Sequence, residues 1–415
     1  MTVLGDIVRR NRSDGSTGIP AWCTAHPDTL RAILSAHAAG DAPILIEATC
    51  NQVNQFGGYT GMTARAFRNF VAGLAREAGV AEARIILGGD HLGPNPWRHE
   101  SAQEAMAKAA DMVRDYVDAG FTKIHLDATM PCADDASLSE EVMASRAAEL
   151  CAVAERASRP GTLAYVIGNE VPIPGGETSA SHRLATTRPE AAQRTYGLYR
   201  HAFAARDLTA AFARVIALVV QPGVDFDNRQ ILVFDPSQAK PLSGALASMG
   251  DIAFEAHSTD YQSAGALADL VAANFAVLKV GPELTFAYRE AVVAMAAMED
   301  HLPAPTHSNI LRVIRDVMQS EPKHWKGYID EDERFATMQI FGLSDRIRYY
   351  WPNPRIQDAL AVLRGNIDAA GGETSLISQY AGLPSGYRRG GGALSEQIVR
   401  CKVGQVVRKY SEACG

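Results

Sequence analysis

The sequence has little that would direct the chain to a membrane or to nucleic acid. Its first segment, MTVLGDIVRRNRSDG, lacks an apolar stretch of signal-peptide length, and no later segment reaches the roughly 18 consecutive apolar residues of a membrane span. The formal net charge is -7, whereas broad binding to nucleic acid or anionic membranes favours a basic surface. We therefore expect a cytoplasmic protein with no nucleic-acid and no membrane partner.

Cysteine is also scarce. The six cysteines are far apart in the chain, and none forms a CxxC pair or the compact spacing of a disulfide framework or zinc-thiolate site. We expect reduced, mostly structural thiols at Cys23, Cys50, Cys132, Cys151, Cys401 and Cys414. Hydrophobic residues, in contrast, make up 47% of the 415 residues, which is ordinary for a globular protein with a large core.

The first 300 residues contain a repeating pattern of short apolar runs bounded by Gly, Pro, Asn or Asp. Eight such runs begin at residues 18, 43, 84, 123, 163, 215, 252 and 275. Segments with helical periodicity lie between them, as in 63–79, which opens on the N-cap residue Thr63, and 101–120, where Ser101 and Glu104 match a capping box. Eight β-α units favour an α/β fold, a (β/α)8 TIM barrel over residues 1–300; an open doubly wound sheet is the alternative.

The carboxyl-terminal segment breaks this rhythm. Residues 301–415 read as helices and loops punctuated by proline and glycine, with no further clear strand. We therefore expect a helical C-terminal extension that packs on the barrel.

Polar side chains fall mainly at the carboxyl ends of the predicted strands. A parallel strand that is buried on both faces is nearly all apolar, so each such residue needs a reason. The residues concerned are Glu47, Asp90, His91, Asp127, Glu170, Gln221, His257 and Glu283. In a barrel these ends meet at one rim, where the active sites of this fold are built.

Strand alternation extends the polar set into the barrel interior. In KIHLDAT (123–129), Ile124 and Leu126 are expected to face the outer helices, which turns Lys123, His125 and Asp127 inward; Glu255 and His257 share a face in the same way. Interior ionisable groups are costly unless they pair, bind a metal or act in catalysis. His125 lies deeper in its strand, so a structural role is favoured for it.

The combination of histidines and carboxylates at one rim predicts a divalent metal ion. Neutral imidazole and carboxylate together suit Zn2+, Mn2+ or Mg2+, with His91 and His257 as the candidate nitrogen ligands. Each residue also has a simpler interpretation. Asp90 could cap the following turn, and either histidine could be a hydrogen-bonded core residue.

Two inward lysines allow a different chemistry. Lys279 in VLKVG, or Lys123, would form a Schiff base with a keto sugar if its pKa were depressed. An interior ion pair with Glu255 or Asp127 is the favoured alternative.

Signals for phosphate binding are weak and local. Ser258 and Thr259 follow the seventh predicted strand and Gly281 follows the eighth, where barrels commonly bind phosphate through backbone N–H groups. Lys279 and Arg346 are the cationic candidates for binding the substrate. Arg346 and Arg348, in SDRIRYYW, either clamp an anion or form surface salt bridges.

Several long strings of the sequence resemble one known family. They include IEATCNQVNQFGGYTGMT, ILGGDHLGPN, AGFTKIHLDA, EAHSTDYQ, LKVGPELTFA and LSDRIRYYWP, and the likeness runs from about residue 19 to 352. The chain resembles the Z-type subunit of bacterial class II tagatose-1,6-bisphosphate aldolase, from galactitol and N-acetylgalactosamine catabolism. That subunit is usually described as the non-catalytic partner of a catalytic Y-type chain, and relatives have been linked to 4-epimerisation of ketohexose phosphates. Some members carry a tagatose-6-phosphate kinase label, but this sequence has no P-loop GxxxxGK[ST].

The resemblance implies roles for individual residues. Related class II aldolases place an Asp-His pair after a barrel strand, in which the histidine binds zinc and the aspartate moves the proton of the C4 hydroxyl. Asp90 and His91 are similar in order and context, and His257 resembles a further metal histidine. Those aldolases take a third histidine from the region of strand six, where this chain has Gln221. A metal site here would therefore need a carboxylate, from Glu170 or Asp127.

These observations lead to one main hypothesis and two alternatives. The main hypothesis is metal-assisted aldol-type chemistry on a ketohexose phosphate, with Asp90, Asp127 and Glu47 as the catalytic carboxylates and His91, His257 and Glu170 as metal ligands. The second is an accessory subunit that stabilises a separate class II aldolase chain, and the third is a Schiff-base enzyme. A homo-oligomer is compatible with each of them.

Overall fold

The computed structural model describes residues 2–169, 184–371, 373–382 and 392–415. Within these residues, eight parallel strands form the barrel: β1 (Ile19–Cys23), β2 (Ile44–Thr49), β3 (Ile85–Leu92), β4 (Lys123–Leu126), β5 (Ala164–Ile167), β6 (Val215–Val219), β9 (Ala253–Ala256) and β10 (Phe275–Val280). The order around the barrel is β1-β10-β9-β6-β5-β4-β3-β2. β1 pairs with both β2 and β10, so the sheet is closed. The predicted TIM barrel is confirmed, and the open sheet is wrong.

A small hairpin interrupts the barrel pattern. β7 (Asp225–Phe226) and β8 (Ile231–Leu232) pair antiparallel between β6 and β9. Each strand has only two residues, which is too short for alternation to be read from the sequence.

Helices surround the barrel. They are α2 (Pro27–Ala36), α3 (Ala64–Ala78), α4 (Ala102–Asp118), α5 (Glu140–Ala157), α6 (Pro189–Ala204), α7 (Thr209–Phe212), α8 (Pro236–Ala245), α9 (Ala264–Ala272) and α10 (Pro282–Glu299). The predicted caps are present, because Thr63 accepts from the Ala66 N–H at the start of α3 and Ser101 and Glu104 form a capping box at the start of α4. The main hydrophobic core lies between these helices and the strands.

An amino-terminal helix closes the bottom of the barrel. α1 (Val3–Asp14) places Leu4, Ile7 and Val8 in a second apolar cluster with inward residues of the strands, such as Leu45 and Val166. This helix precedes the repeating β-α pattern and was not predicted. Its apolar spacing, i, i+3 and i+4, is the helical signal that was available.

The carboxyl-terminal extension is helical, as expected. It comprises α11 (Ile310–Ser320), α12 (Phe335–Phe341), α13 (Pro354–Ala369), α14 (Thr374–Leu376) and α15 (Leu394–Cys414). α15 packs against α2, α9 and α10, and the Tyr410 hydroxyl donates to the Thr259 carbonyl oxygen at 2.7 Å. The extension therefore reaches the end of the barrel that carries the polar residues.

Neither a disulfide bond nor a membrane-spanning helix is found among the described residues. All six cysteines are free thiols, and all but Cys401 are buried. None of the helices that the structure describes is both long and apolar enough to cross a membrane.

Candidate functional site

A cavity of about 760 Å³ lies at the carboxyl ends of the barrel strands. Its barrel side carries Cys23, Asp90, His91, His257 and Lys279. The carboxyl-terminal extension forms the opposite side with aromatic and basic residues, which are Arg348, Tyr349, Trp351 and Arg364. The rim predicted from the strand ends is thus concave, and a volume of this size suits a small molecule.

A chain of buried ion pairs lies beneath the cavity. Lys123 Nζ is 2.5 Å from Glu47 Oε1 and 2.8 Å from Glu255 Oε2. Lys279 Nζ is 2.9 Å from Glu47 Oε2 and also contacts the Asp90 carboxylate. The inward orientation expected of Lys123 and the ion pair with Glu255 are confirmed. We call Glu47, Lys123, Glu255, Lys279 and Asp90 the charge network.

The charge network keeps both lysines protonated. Burial alone would lower the pKa of Lys123, but Glu255 and Glu47 outweigh it and raise that pKa. The pKa of Lys279 is likewise raised well above its usual value, because Asp90 and Glu47 outweigh burial. A protonated amine has no lone pair for attack on a carbonyl, so the arrangement argues against the Schiff-base alternative.

A glycine makes room for this network. Gly88 is paired with Glu47 across β2 and β3, and a Cβ built on it would lie 2.8 Å from Glu47 Cγ. Any larger residue would push the carboxylate away from the two lysines. The first glycine of ILGGDHLG therefore has a steric role at the site.

Three histidines meet beside the charge network. The ring centroids are 5.1 Å apart for His91 and His125, 5.0 Å for His91 and His257, and 5.3 Å for His125 and His257. We call these three residues the histidine cluster. The sequence favours a structural role for His125 and predicts no third histidine at the site, but the structure places His125 with the other two.

Each imidazole in the cluster has its own buried carboxylate partner. The pairs are His91 Nδ1 with Asp127 Oδ2 at 2.8 Å, His125 Nδ1 with Asp90 Oδ1 at 2.9 Å, and His257 Nε2 with Glu255 Oε1 at 2.9 Å. Metal-binding histidines commonly present one nitrogen to a carboxylate in this way, which leaves the other nitrogen for the ion. The same pairs would also stabilise histidines that have no ligand.

The second nitrogen of His125 distinguishes these interpretations. Within the described residues, His125 Nε2 is buried and has no hydrogen-bond partner. The His91 amide lies 3.2 Å from His125 Nδ1, but the contact of Nδ1 with Asp90 is shorter and charge-assisted. We therefore place the imidazole proton on Nδ1, which donates it in a hydrogen bond to the Asp90 carboxylate. Nε2 then carries a buried lone pair without a partner, which is costly unless a ligand uses it.

The donor set and the local charge fit a divalent cation. Ligand atoms of Asp90, His125, Glu255 and His257 all lie within 4.8 Å of one another. The four buried carboxylates here, Glu47, Asp90, Asp127 and Glu255, exceed the two buried lysines by two negative charges when the histidines are neutral. A doubly charged ion would balance that excess.

The pKa values of Asp90 and His257 agree with an anion and a neutral histidine at the site. Burial would raise the pKa of Asp90, but His91 and Lys279 outweigh it and hold that pKa well below the usual value. Burial lowers the pKa of His257 to about 3, against the opposing effect of Glu255. His257 is therefore neutral near pH 7, as metal binding requires.

The residues that the structure brings together differ from the predicted ligands. His91 and His257 lie at the site as expected, and Asp127 binds His91 rather than a lysine. Glu170, predicted as a ligand, lies outside the described residues. Alternation along KIHLD turns His125 inward, but a pattern along one strand does not show which residues of other strands it meets.

Strained backbone marks the same rim. His91 has φ of 50° and Ser258 has φ of 53°, a left-handed conformation that non-glycine residues rarely adopt. The pairing of β3 with β4 also shifts register between Gly89 and Leu92. Such strain persists where the surrounding structure holds it in place, which is common at functional sites.

The turns predicted to bind phosphate are partly occupied by protein groups. The backbone N–H groups of Gly281 and Glu283 donate to Asp260 Oδ1 at 3.0 and 2.8 Å. The Thr259 hydroxyl donates to the Lys279 carbonyl oxygen at 2.6 Å, whereas Ser258 lines the cavity. Burial raises the pKa of Asp260 to about 7.

The two arginines of SDRIRYYW have different positions. Arg346 does not line the cavity, since its Nε donates to the His324 carbonyl oxygen at 2.5 Å and its guanidinium stacks 3.7 Å from the Tyr328 ring centroid. Arg348 does line the cavity. The structure therefore brings Arg348, and not Arg346, to the site.

Comparison with known proteins identifies the family. The family model for "D-tagatose-1,6-bisphosphate aldolase subunit GatZ/KbaZ-like" matches residues 4–415. The chain belongs to the GatZ/KbaZ-like family. It is 46% identical to the D-tagatose-1,6-bisphosphate aldolase subunit GatZ of Escherichia coli K12, over 98% of this chain and 99% of that protein. It is 47% identical to the GatZ subunit of Klebsiella pneumoniae, over 99% of both chains.

A solved structure shares the whole architecture. A probable tagatose 6 phosphate kinase from Sinorhizobium meliloti 1021 superposes with a TM-score of 0.88 at 42% identity, covering 96% of this chain and all of that one. The GatZ/KbaZ-like match extends through the carboxyl-terminal extension, beyond residue 352, where the resemblance seen in the sequence weakened. The extension is thus a part of the family and belongs, like the barrel, to a protein of carbohydrate metabolism.

Proposed function

We propose that this GatZ/KbaZ-like chain is itself an enzyme. It would carry out metal-dependent aldol-type chemistry, 4-epimerisation or retro-aldol cleavage, on a ketohexose phosphate such as tagatose 6-phosphate or fructose 6-phosphate. The observation that carries this proposal is the histidine cluster with its carboxylates beside a cavity of about 760 Å³. Burying so many charges is expensive, and a purely accessory subunit has no need to do so.

Asp90 is the candidate base for the C4 hydroxyl. It lines the cavity and is ionised, because the protonated Lys279 contacts it and helps to hold its pKa well below the usual value. Removal of the C4 hydroxyl proton by Asp90 breaks the C3–C4 bond, turns C4 into an aldehyde and leaves the electron pair on C3 as an enediolate. If the aldehyde rotates before the bond re-forms, the product is the 4-epimer; if it leaves, the product is that of cleavage.

Other residues of the site position these groups. Asp127 orients His91, and Glu47 holds the two lysines, one of which contacts Asp90. His125, Glu255 and His257 offer ligand atoms for Zn2+, Mn2+ or Mg2+ without using Asp90, with His91 beside them. When bound, such an ion supplies Lewis-acid polarisation of the ketose carbonyl.

Direct assay of the purified chain tests the proposal. The full chain is incubated with fructose 6-phosphate or tagatose 6-phosphate and Mg2+, Mn2+ or Zn2+, and the products are followed by NMR. We expect conversion that a chelator abolishes, and a loss of at least about 100-fold in the rate for Asp90→Asn. Asp111→Asn, the same change at an exposed residue of α4, is the control and should keep the activity. The absence of conversion with every metal would contradict the proposal.

A second candidate function follows from the relatives' names. Those proteins are named as subunits of an aldolase, which supports a role in stabilising a separate class II tagatose-bisphosphate aldolase chain. The variant His91→Ala separates the two functions. If the chain is only accessory, this variant should still co-purify with the partner and protect it from heat; if the chain is an enzyme, the variant should lose turnover.

A further inference from the structure

The usual phosphate site of a barrel is filled by protein in this chain. Asp260 is almost fully buried, at 2% exposure, and its carboxylate accepts the Gly281 and Glu283 amides at the start of α10. These amides are the donors that a phosphate would otherwise use there. A phosphoryl group at this position would have to displace Asp260 and would then lie beside the carboxylate of Glu283, which binds the Tyr261 amide at 2.8 Å.

One cation on the other side of the cavity lacks a carboxylate partner. Among the lysines and arginines of the cavity wall in the described part of the chain, Lys279 pairs with Glu47 and Arg364 pairs with Asp28. Arg348 has no carboxylate within ion-pair distance.

The bonds that Arg348 does make orient it without neutralising it. Its Nη1 donates to the backbone carbonyl oxygens of Ser344 and Asp345, and its Nη2 donates to the Tyr349 hydroxyl at 2.9 Å. A guanidinium has five N–H donors, so donors remain for an anion. Tyr349 also lines the cavity and, since it accepts from Arg348, can donate its own proton to the same anion.

We propose that Arg348, with Tyr349, binds the phosphoryl group of the substrate, and that the N-terminus of α10 does not. This inference rests on the proposed function, because it assumes that a phosphorylated ketose occupies the cavity. The substrate would extend from the histidine cluster on the barrel to Arg348 on the extension. The carboxyl-terminal extension would thereby select for a charged sugar, which gives it a role beyond stabilising the fold.

Binding measurements on the full chain test the inference without requiring turnover. Fructose 6-phosphate, fructose and the carboxylate sugar fructuronate are titrated calorimetrically into the native chain and into Arg348→Met. We expect the variant to bind fructose 6-phosphate at least about tenfold more weakly while its affinity for fructose is unchanged. Arg355→Met removes a charge from an exposed arginine of α13 outside the cavity, and should change the affinity by less than about twofold.

The measured affinities can overturn the inference in several ways. It is wrong if folded Arg348→Met binds fructose 6-phosphate within about twofold of the native chain. It is also wrong if the native chain prefers fructuronate, which would assign a carboxylate, or binds fructose equally well. Should Arg348→Met not fold, Arg348→Lys keeps the charge but not the fork of donors, and an affinity equal to that of the native chain would overturn the inference. Intact binding without conversion would contradict the proposed chemistry alone.

Discussion

At the scale of single residues, hydrogen bonds to carboxylates decide which imidazole nitrogen is available. His125 shows this most clearly, because Asp90 holds its Nδ1 and leaves Nε2 buried without a partner among the described residues. Its position in the strand indicated only that it faces inward. Whether an inward histidine is structural or a ligand depends on its neighbours from other strands, which local pattern does not reveal.

Replacing His125 should reduce metal binding. We expect His125→Gln to lower the affinity for Zn2+ or Mn2+ by at least about tenfold, since one ligand nitrogen is lost. Metal content after dialysis, measured by elemental analysis, checks this. His99→Gln, at a side chain that is 74% exposed, is the control and should keep the native metal content. Equal metal content in both variants would remove His125 from the ligand set.

Gly88 is expected to be intolerant of even one methyl group. Because a Cβ there would lie 2.8 Å from Glu47 Cγ, Gly88→Ala should lower the free energy of unfolding by about 1–3 kcal/mol. Chemical denaturation measures the change. Gly73→Ala is the matched control, since nothing lies within 4 Å of its Cβ in the middle of α3 and helix propensity favours alanine. A native stability for Gly88→Ala would show that the network has more room than the structure indicates.

At the scale of elements, the ends of strands and helices carry the chemistry. The apolar runs and caps predicted the barrel strands and several helices, because periodicity and capping are local properties. The hairpin β7–β8 was not predicted because each of its strands has only two residues. The helix α1 was not predicted because it precedes the repeating β-α pattern. Asp260 at the start of α10 was also missed, since its contact with Gly281 and Glu283 joins two separate turns.

Asp260 should make stability depend on pH in a characteristic direction. Burial raises its pKa to about 7 in the folded chain, above the value of 3.8 expected when unfolded. The folded state therefore holds the proton more tightly, so this contribution to stability is complete below pH 3.8 and is lost as pH rises to about 7.

The variant Asp260→Asn isolates that contribution. Asparagine keeps an acceptor for the two amides but does not titrate. At pH 8, the variant should therefore have a larger free energy of unfolding than the native chain. At pH 5, it should show no such gain. Urea unfolding at both pH values measures the difference. Asp235→Asn, at the exposed cap of α8, is the control, since its carboxylate pKa is lowered by its bond to Ser237. The same shift at both pH values would contradict the assignment.

At the scale of the whole molecule, two parts of the chain that are distant in sequence enclose one cavity. The barrel supplies the histidine cluster and the charge network, and the extension supplies Arg348 and Tyr349. Thr259 and Tyr410 join the two parts through hydrogen bonds of 2.7 and 3.0 Å. An ion that binds in this site should therefore also change the stability of the folded chain.

A divalent ion should raise the stability of the full chain. Four buried carboxylates face only two lysines, so an ion that neutralises the excess binds the folded state and not the unfolded chain. We expect saturating Mn2+ or Zn2+ to raise the unfolding temperature of chelator-treated protein by at least about 3 °C. Glu255→Gln should reduce this shift, and KCl at equal ionic strength should not produce it. An unchanged unfolding temperature would contradict a metal role for the cluster.

The barrel, the polar rim and the family follow from the amino-acid sequence alone, because strand alternation, helix caps and long shared strings are all local features of the chain. It also placed Asp90, His91 and His257 correctly at the ends of their strands. Three features became visible in the folded chain: His125 completes a cluster of three, Lys123 and Lys279 share Glu47, and Arg348 rather than Arg346 reaches the cavity. These outcomes depend on distances between residues far apart in the chain, and closure of the barrel and packing of the extension set those distances.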